Sequence, residues 1–169
     1  MMKIIQTPIP DDSLIRNYFP ADYSDSFQCT FESDKDITPD DLLVAFWTKS
    51  PEWIGALFKI RNNLVKLVGL KGDKTDSQEI EDCIRNNIDT DLFKVVLKSE
   101  NETIIRLSDK HLDAYLSAYI KNSGKEKTVS LITTVQMHNL LGHIYFYSIC
   151  PFHKIVVKGM IKHTINQIR

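Results

Sequence analysis

The sequence lacks the features that mark several simple functional classes. It has only three cysteines in 169 residues, at Cys29, Cys83 and Cys150, with no CxxC spacing. This odd number indicates reduced thiols in a cytoplasmic protein rather than a disulfide framework. The net charge is −1 and the sequence pI is about 6.5. The basic excess of a typical nucleic-acid binder is therefore missing.

Long apolar runs and metal-binding spacings are missing as well. The N-terminus has no apolar stretch of seven residues, which argues against a signal peptide. The most apolar window, Leu140–Val157, is interrupted by Pro151 and Lys154 and by two histidines, so a transmembrane helix is not expected. No HxxxH or HExxH pair occurs, and no metal site is expected.

What is present fits one folded domain over residues 1–169, whose first 24 residues form a lead-in segment. A short helix is predicted near Asp12–Tyr18. Alternation predicts a first strand over Ser26–Glu32, with Phe27 on its buried face. Thr38-Pro39 and Ser50-Pro51, each followed by acids, are helix start signals. They predict a helix pair over Pro39–Thr48 and Pro51–Val68.

The second half of the chain predicts an antiparallel meander and a long helix. Residues 71–92 are polar and predict a loop, with one strand or helical turn near Glu79–Arg85. Alternating stretches predict four strands, and turns at 99–102 and 122–125 join them in hairpins. The predicted strands are Phe93–Lys98, Thr103–Leu107, His111–Lys121 and Thr128–Met137. An apolar helix then runs to Arg169, so the fold class is α+β.

Four local patterns resemble the DUF2867 family of domains of unknown function. They are the Ser50-Pro51-x-Trp53 start with the following apolar run, the His111-Leu112-Asp113 triplet, the His138-Asn139 turn with Gly142 and Tyr145, and the Pro151-Phe152-His153 triplet. The element order is also similar to the START-like (SRPBCC) superfamily. This resemblance implies a helix-grip fold, in which an antiparallel sheet wraps around a long C-terminal helix and a cavity can lie between them. It implies no cofactor, since the chain has no GxGxxG motif.

Candidate site residues follow from the strands and from the start of the last helix. His111 and Asp113 share a strand face, where a carboxylate could orient an imidazole as a general base; alternatively both are solvated. His138 and Asn139 stand where a strand becomes a helix, and Asn139 suits an N-cap. Cys150 and His153 could form a thiolate–imidazole dyad, although a thiol in an apolar run is more typical of a core residue.

Aromatic and hydroxyl side chains complete the expected ligand site. Tyr115, Tyr119, Tyr145 and Tyr147 offer apolar rings with polar tips, and Thr133 lies among aliphatic residues. Ordinary packing is the alternative for each tyrosine. A basic stretch at Lys59–Lys71 is interpreted as a solvated helix face that could also touch an anionic surface.

Three functional hypotheses follow. The first is a START-like module that binds a small apolar or amphipathic molecule between the sheet and the C-terminal helix. The second is an enzyme of cyclase, hydratase or hydrolase type acting in the same cavity. The third is an interaction domain whose apolar helices pack against a partner protein or against a second copy of the chain in a homodimer.

Overall fold

A computed structural model of the chain describes residues 3–56 and 76–169. It is an α+β structure with a six-stranded antiparallel sheet and a long C-terminal helix, which is compatible with the predicted helix-grip arrangement. In chain order the elements are β1 (Ile4–Gln6), a 3₁₀ helix (Leu14–Tyr18), β2 (Tyr23–Glu32), α1 (Pro39–Thr48), α2 (Ser77–Asn86), β3 (Phe93–Lys98), β4 (Glu102–Ser108), β5 (Leu112–Ser123), β6 (Glu126–Met137) and α3 (Leu140–Ile168).

The sheet has the strand order β1-β2-β6-β5-β4-β3, and every neighbouring pair is antiparallel. Its centre is the β5–β6 hairpin, whose register runs from Leu112 opposite Met137 to Ser123 opposite Glu126. Gly124 in the turn has φ +62°, a conformation that residues with a side chain rarely adopt. The meander of four strands predicted from residues 93–137 is confirmed.

The helices cover one face of the sheet, which we call the helix face. Alternating strand residues such as Leu116, Ala118 and Leu131 point to this side and form the main core with the helices. The C-terminal half of α3 contributes most of that helix's core residues, namely Val157, Met160, Ile161 and Ile165. Burial of this apolar surface is the main force that holds α3 on the sheet.

The opposite face of the sheet, which we call the far face, is covered by the N-terminal segment. Ile15 of the 3₁₀ helix is fully buried and packs with Ile104, Tyr115 and Ile132 from three strands. Residues 1–24 were predicted only as a lead-in with a short helix. They also supply β1 at the sheet edge and the first residues of β2, so the segment is an integral part of the domain.

The structure confirms several local signals and corrects others. The helix predicted over Pro39–Thr48 has those bounds, with a capping box between Thr38 and Asp41. The sequence predicts a loop with one strand or helical turn near Glu79–Arg85, but the structure has a helix there, α2 over Ser77–Asn86. Its buried residues Ile80, Cys83 and Ile84 have helical spacing, and Asn87 ends it in the left-handed conformation.

The predicted helix Pro51–Val68 is only partly within the described residues. Residues 52–56 are helical, with Ile54 fully buried. The remainder of that prediction and the whole of the basic stretch Lys59–Lys71 lie outside the residues that the structure describes.

Candidate functional site

Two buried aspartates, one on each face of the sheet, each lie beside a histidine. On the far face, Nε2 of His138 is 3.2 Å from Oδ2 of Asp113. On the helix face, Nε2 of His153 is likewise 3.2 Å from Oδ2 of Asp25. The surroundings of the two carboxylates differ, and that difference identifies the candidate site.

The far-face cluster consists of Arg106, Ser108, Asp113 and His138. Arg106 Nη2 donates to both carboxylate oxygens of Asp113, at 3.0 and 2.9 Å, and Ser108 Oγ donates to Oδ1 at 2.6 Å. Burial alone would raise the pKa of Asp113, but the hydrogen bonds from Ser108 and Arg106 and the nearby positive charges lower it overall. This carboxylate is satisfied within the protein and its geometry is that of a structural ion pair.

Tyr115 and Tyr119 also lie on the far face. The ring of Tyr115 stacks on Tyr18 of the 3₁₀ helix with centroids 4.1 Å apart. The hydroxyl of Tyr119 donates to Asp12 at 2.8 Å, and burial followed by this bond raises the pKa of Tyr119. Both tyrosines therefore pack the N-terminal segment onto the sheet, on the side opposite α3.

His111 does not join Asp113, although the sequence placed both on one strand face. His111 precedes β5, and its Nδ1 lies 3.1 Å from Oδ1 of Asn139 at the start of α3. Asn139 is the N-cap of that helix and accepts from the Gly142 backbone, as predicted. A Cβ atom on Gly142 would overlap the backbone oxygen of His111. This corner therefore anchors the first turn of α3 to the sheet.

The helix-face cluster consists of Tyr23, Asp25, Thr133 and His153. Asp25 in β2 lies directly opposite Thr133 in β6, so their side chains share the helix face. The Tyr23 hydroxyl donates to Oδ2 of Asp25 at 2.6 Å. His153 approaches the same oxygen from α3, and the Asp25 side chain is only 1% exposed.

Several polar atoms of the helix-face cluster are buried without a hydrogen bond. Among the described residues, Oδ1 of Asp25, Oγ1 of Thr133 and Nε2 of His153 have no hydrogen-bond partner. The His153 nitrogen is within ion-pair distance of Asp25, but its direction does not meet hydrogen-bond geometry. Buried polar atoms are normally paired, because each unpaired one costs about 1–3 kcal/mol. The helix-face cluster therefore holds three of the buried unpaired polar atoms of the described residues.

The chemistry available at the helix-face cluster is hydrogen bonding and proton exchange. Burial, the bond to Asp25 and the neighbouring Cys150 raise the pKa of Tyr23 far above its ordinary value. Its hydroxyl therefore remains protonated and acts as a donor at physiological pH. Asp25 offers a free acceptor and Thr133 offers either function. Cys150 contacts Tyr23, and His153 lies against Asp25, so no contact among the described residues supports the less favoured alternative of a thiolate–imidazole dyad between Cys150 and His153.

An apolar surface adjoins this cluster on the helix face. The cross-strand row through Tyr23 continues into Val135, Ala114 and Leu107 on successive strands. Ala114 and Leu107 are only partly buried although they lie on interior strands of the sheet. The helical layer therefore leaves part of this end of the sheet accessible beside the polar atoms.

The first half of α3 lies over the cluster with few core contacts. The buried side chain in this half is Phe146, whose ring packs on Tyr23 with centroids 4.7 Å apart. Tyr145 is half-buried on the same stretch. Pro151 lies inside the helix and has no N–H for a backbone hydrogen bond. The C-terminal half of α3 is thus anchored by the core, and the first half is anchored mainly at its N-terminal turn.

Sequence reasoning missed Tyr23, Asp25 and Arg106. The predicted strand began at Ser26, so Tyr23 fell in the lead-in and Asp25 just beyond it. Their alternation with Phe27 was a usable signal, because it places Asp25 on the apolar face of the same strand. Thr133 was predicted as a ligand residue and lies in the helix-face cluster, whereas Asp113, Tyr115 and Tyr119 lie on the far face.

A surface groove of about 700 Å³ lies elsewhere, beside the end of β2. Its lining includes Thr30, Glu32, Lys35 and Arg169 and contains none of the predicted ligand residues. Within residues 3–56 and 76–169, no group of three His, Cys, Asp or Glu side chains is arranged to hold a metal ion.

Comparison with known proteins gives a family without an assigned activity. No curated protein matches the sequence. The family model described as "Protein of unknown function (DUF2867)" matches residues 19–160, which include β2 with Asp25, the whole meander and α3 through His153. The matched segment covers most of the chain and both Asp–His pairs, and the protein belongs to the DUF2867 family.

Proposed function

We propose that this protein is a START-like domain that binds a small amphipathic molecule between the helix face of the sheet and the first half of α3. The observation that carries the proposal is the buried, unpaired Oδ1 of Asp25 beside the buried, unpaired Oγ1 of Thr133. A ligand group that forms a hydrogen bond with each atom offsets the desolvation penalty of leaving both unpaired.

The polar end of the ligand must carry a hydrogen-bond donor. Tyr23 already donates to one oxygen of Asp25, and the other oxygen is left as an unpaired acceptor. A hydroxyl or an N–H group fits this requirement, because it can donate a hydrogen bond to Asp25 and form a second hydrogen bond with the Thr133 hydroxyl. An anionic head group does not fit, since it would face the Asp25 carboxylate.

The remainder of the ligand must be apolar. From the polar corner on β2 and β6, the row of Val135, Ala114 and Leu107 runs across two more strands. At about 4.8 Å per strand, that surface extends roughly 10 Å from Val135 to Leu107. This length suits a fused ring system or a short alkyl chain.

The test uses two probes that share an apolar body and differ in one donor, 2-naphthol and 2-methylnaphthalene. Each is titrated into the ¹⁵N-labelled protein, and amide shift changes give both the affinity and the location. We expect 2-naphthol to bind about tenfold more tightly, from one hydrogen bond to a charged acceptor. Shift changes should centre on Asp25, Thr133 and the first half of α3.

Two variants and a matched control test the residues. Asp25→Asn replaces the free acceptor with a donor, and Thr133→Val removes the hydroxyl at constant shape. Asp25→Asn should abolish the preference for 2-naphthol, and Thr133→Val should reduce it. Thr134→Val is the control, because Thr134 has an equally buried and unpaired hydroxyl that points to the far face. It should leave the preference unchanged.

Three results would contradict the proposal. The first is equal affinity for the two probes in the unaltered protein. The second is a tenfold preference that survives in Asp25→Asn. The third is a set of shift changes confined to the groove at Thr30 and Lys35. Native mass spectrometry of protein purified from cells provides an independent measurement, in which a bound small molecule is expected and should be lost in Asp25→Asn.

A further inference from the structure

The outer surface of α3 is unusually apolar over its first half. Leu140, Ile144, Tyr147 and Ile155 are between 55% and 75% exposed, and Leu141 and Phe152 are at least half exposed. At about 100° per residue, the first four fall within a sector of about 80° on one side of the helix. Scattered exposed apolar residues are ordinary, but a continuous row on one helix marks an interaction surface.

The second half of the same surface is basic. Lys154, Lys158 and Lys162 are exposed, and about 100° per residue places them in line with Leu140 and Ile144. None of the three forms an ion pair with a residue in the described part of the chain. Lys158 instead lies 5.3 Å from the ring centroid of Phe27.

Acidic residues are missing from this helix altogether. The 29 residues of α3 contain no Asp or Glu. The exposed side therefore presents large apolar side chains, then positive charge, with no carboxylate of its own to neutralise it. The apolar and basic parts follow one another along the helix axis, so a tilted α3 places its apolar first half in the acyl boundary of an anionic membrane and its lysines at the head groups.

A helix that spans a membrane is a poorer fit to the same surface. By length and hydropathy α3 is the one helix in the described residues that could cross a bilayer. Its second half, however, places Val157, Met160 and Ile161 in the core of the domain. Insertion would remove these residues from the sheet and would carry Lys154 and His153 into the acyl region.

We infer that the exposed side of α3, from Leu140 to Lys162, docks the folded domain onto an anionic lipid bilayer. The apolar row supplies the insertion and the three lysines supply the attraction. A second copy of the chain is a weaker fit, because α3 has no Asp or Glu and so offers no carboxylate to the three lysines of another copy. The inference is independent of the proposed ligand site, which lies on the inner side of the helix.

Flotation with lipid vesicles tests this inference with the full chain. One set of vesicles is pure phosphatidylcholine and the other contains 30% phosphatidylserine. We expect binding to the phosphatidylserine vesicles, weakened by raising NaCl from 0.05 to 0.5 M because screening shortens the reach of the lysine charges.

Two sets of variants separate the charged and apolar parts of the surface. Substituting Lys154, Lys158 and Lys162 with Gln should weaken binding about a hundredfold, from about fivefold per lysine. The matched control substitutes the exposed Lys3, Lys110 and Lys125 with Gln and should change binding much less. Ile144→Ser with Ile155→Ser should also weaken binding; both side chains are exposed, so the fold is retained.

Several outcomes would overturn the inference. One is no binding to phosphatidylserine vesicles at low salt. Another is an equal loss of vesicle binding in the two triple-lysine variants, which would show that binding depends on the net charge of the protein and not on the surface of α3. A third is a stable dimer in light scattering that Ile144→Ser with Ile155→Ser converts to a monomer, which would assign the surface to a second copy. If 2-naphthol binding remains intact while vesicle binding fails, the ligand proposal stands without this one.

Discussion

The two Asp–His pairs have the same separation, yet the protein treats their carboxylates differently. Asp113 receives hydrogen bonds from Arg106 through both oxygens and from Ser108, and His138 lies 3.2 Å away. Asp25 receives one hydrogen bond, from Tyr23, and its second oxygen is unpaired within the described residues. The same residue pair at the same distance therefore has a complete set of partners on one face and an incomplete set on the other, which supports the binding role that we propose for Asp25.

Glu102 on the far face shows how this fold satisfies a buried carboxylate. It is 1% exposed and accepts from Ser13 Oγ at 2.7 Å, from the Leu14 backbone at 2.6 Å and from Ser117 Oγ. The N-terminal segment provides two of these donors. Far-face carboxylates are thus supplied with partners from neighbouring elements, and the helix-face Asp25 stands out by contrast.

Asp113→Asn should have the largest effect on stability. The substitution removes the charge that Arg106 and His138 face and turns one acceptor into a donor beside them. We expect a loss of about 2–3 kcal/mol in the free energy of unfolding, the range for hydrogen bonds to charged groups. Urea denaturation at pH 7 measures it.

Asp25→Asn is the matched control for that loss. Its side-chain oxygen can still accept from Tyr23, and the Oδ1 atom that is replaced has no hydrogen-bond partner among the described residues. The change in unfolding free energy should stay within about 1 kcal/mol. Equal losses in the two variants would remove the distinction between a structural and a binding carboxylate.

Gly142→Ala should come next in size, because it tests the anchor that holds the first half of α3 over the helix-face cluster. The added methyl group overlaps the His111 backbone oxygen, which cannot move aside as a flexible side chain can. We expect a loss of about 1–3 kcal/mol, as for other overpacked sites.

Gly55→Ala is the control for Gly142→Ala. Gly55 is also helical, and a Cβ there meets no described atom within 4 Å. Helix propensity alone predicts that Gly55→Ala raises the free energy of unfolding by up to about 1 kcal/mol. If both substitutions stabilise the protein in urea denaturation, the close contact at the start of α3 does not constrain the helix.

Lowering the pH should gradually reduce the contribution of the far-face cluster to the free energy of unfolding, and this effect should be smaller than those of the substitutions above. The pKa of Asp113 is lowered below its ordinary value of 3.8, so the folded state favours the ionised form. Its contribution is complete above that value and is lost as the pH falls through the lowered pKa. The stability difference between the unaltered protein and Asp113→Asn should therefore shrink as the pH falls below 3.8. A difference that stays constant down to pH 2.5 would contradict the assignment.

Sequence reasoning reached the sheet and the caps because both depend on local patterns. Alternation located β5 and β6, and the Thr38 and Asn139 caps marked the starts of α1 and α3. It did not reach the partners of Asp113, because Arg106 meets it through strand pairing and His138 across the end of the hairpin.

The location of the helix-face cluster could not be predicted for a related reason. His153 and Asp25 are far apart in the chain, and they meet only because α3 packs across β2 with a particular rotation. The α3 sequence is apolar on nearly all sides, so it does not indicate which side faces the sheet. That rotation is fixed by tertiary contacts such as Val157 and Ile161 in the core.

The smallest expected effect comes from the adjacent pair Thr133 and Thr134, and it gives the sharpest comparison of the two faces. Both hydroxyls are buried and unpaired among the described residues, yet the side chains point to opposite sides of β6. Valine has nearly the same shape and no polar atom. Each Thr→Val substitution should therefore leave the unfolding free energy unchanged or raise it by up to about 1 kcal/mol.

Only Thr133→Val should also reduce the preference for 2-naphthol over 2-methylnaphthalene. Stability gains in both variants with a binding loss in one would mean that the same local defect is retained for ligand recognition on the helix face and is merely tolerated on the far face.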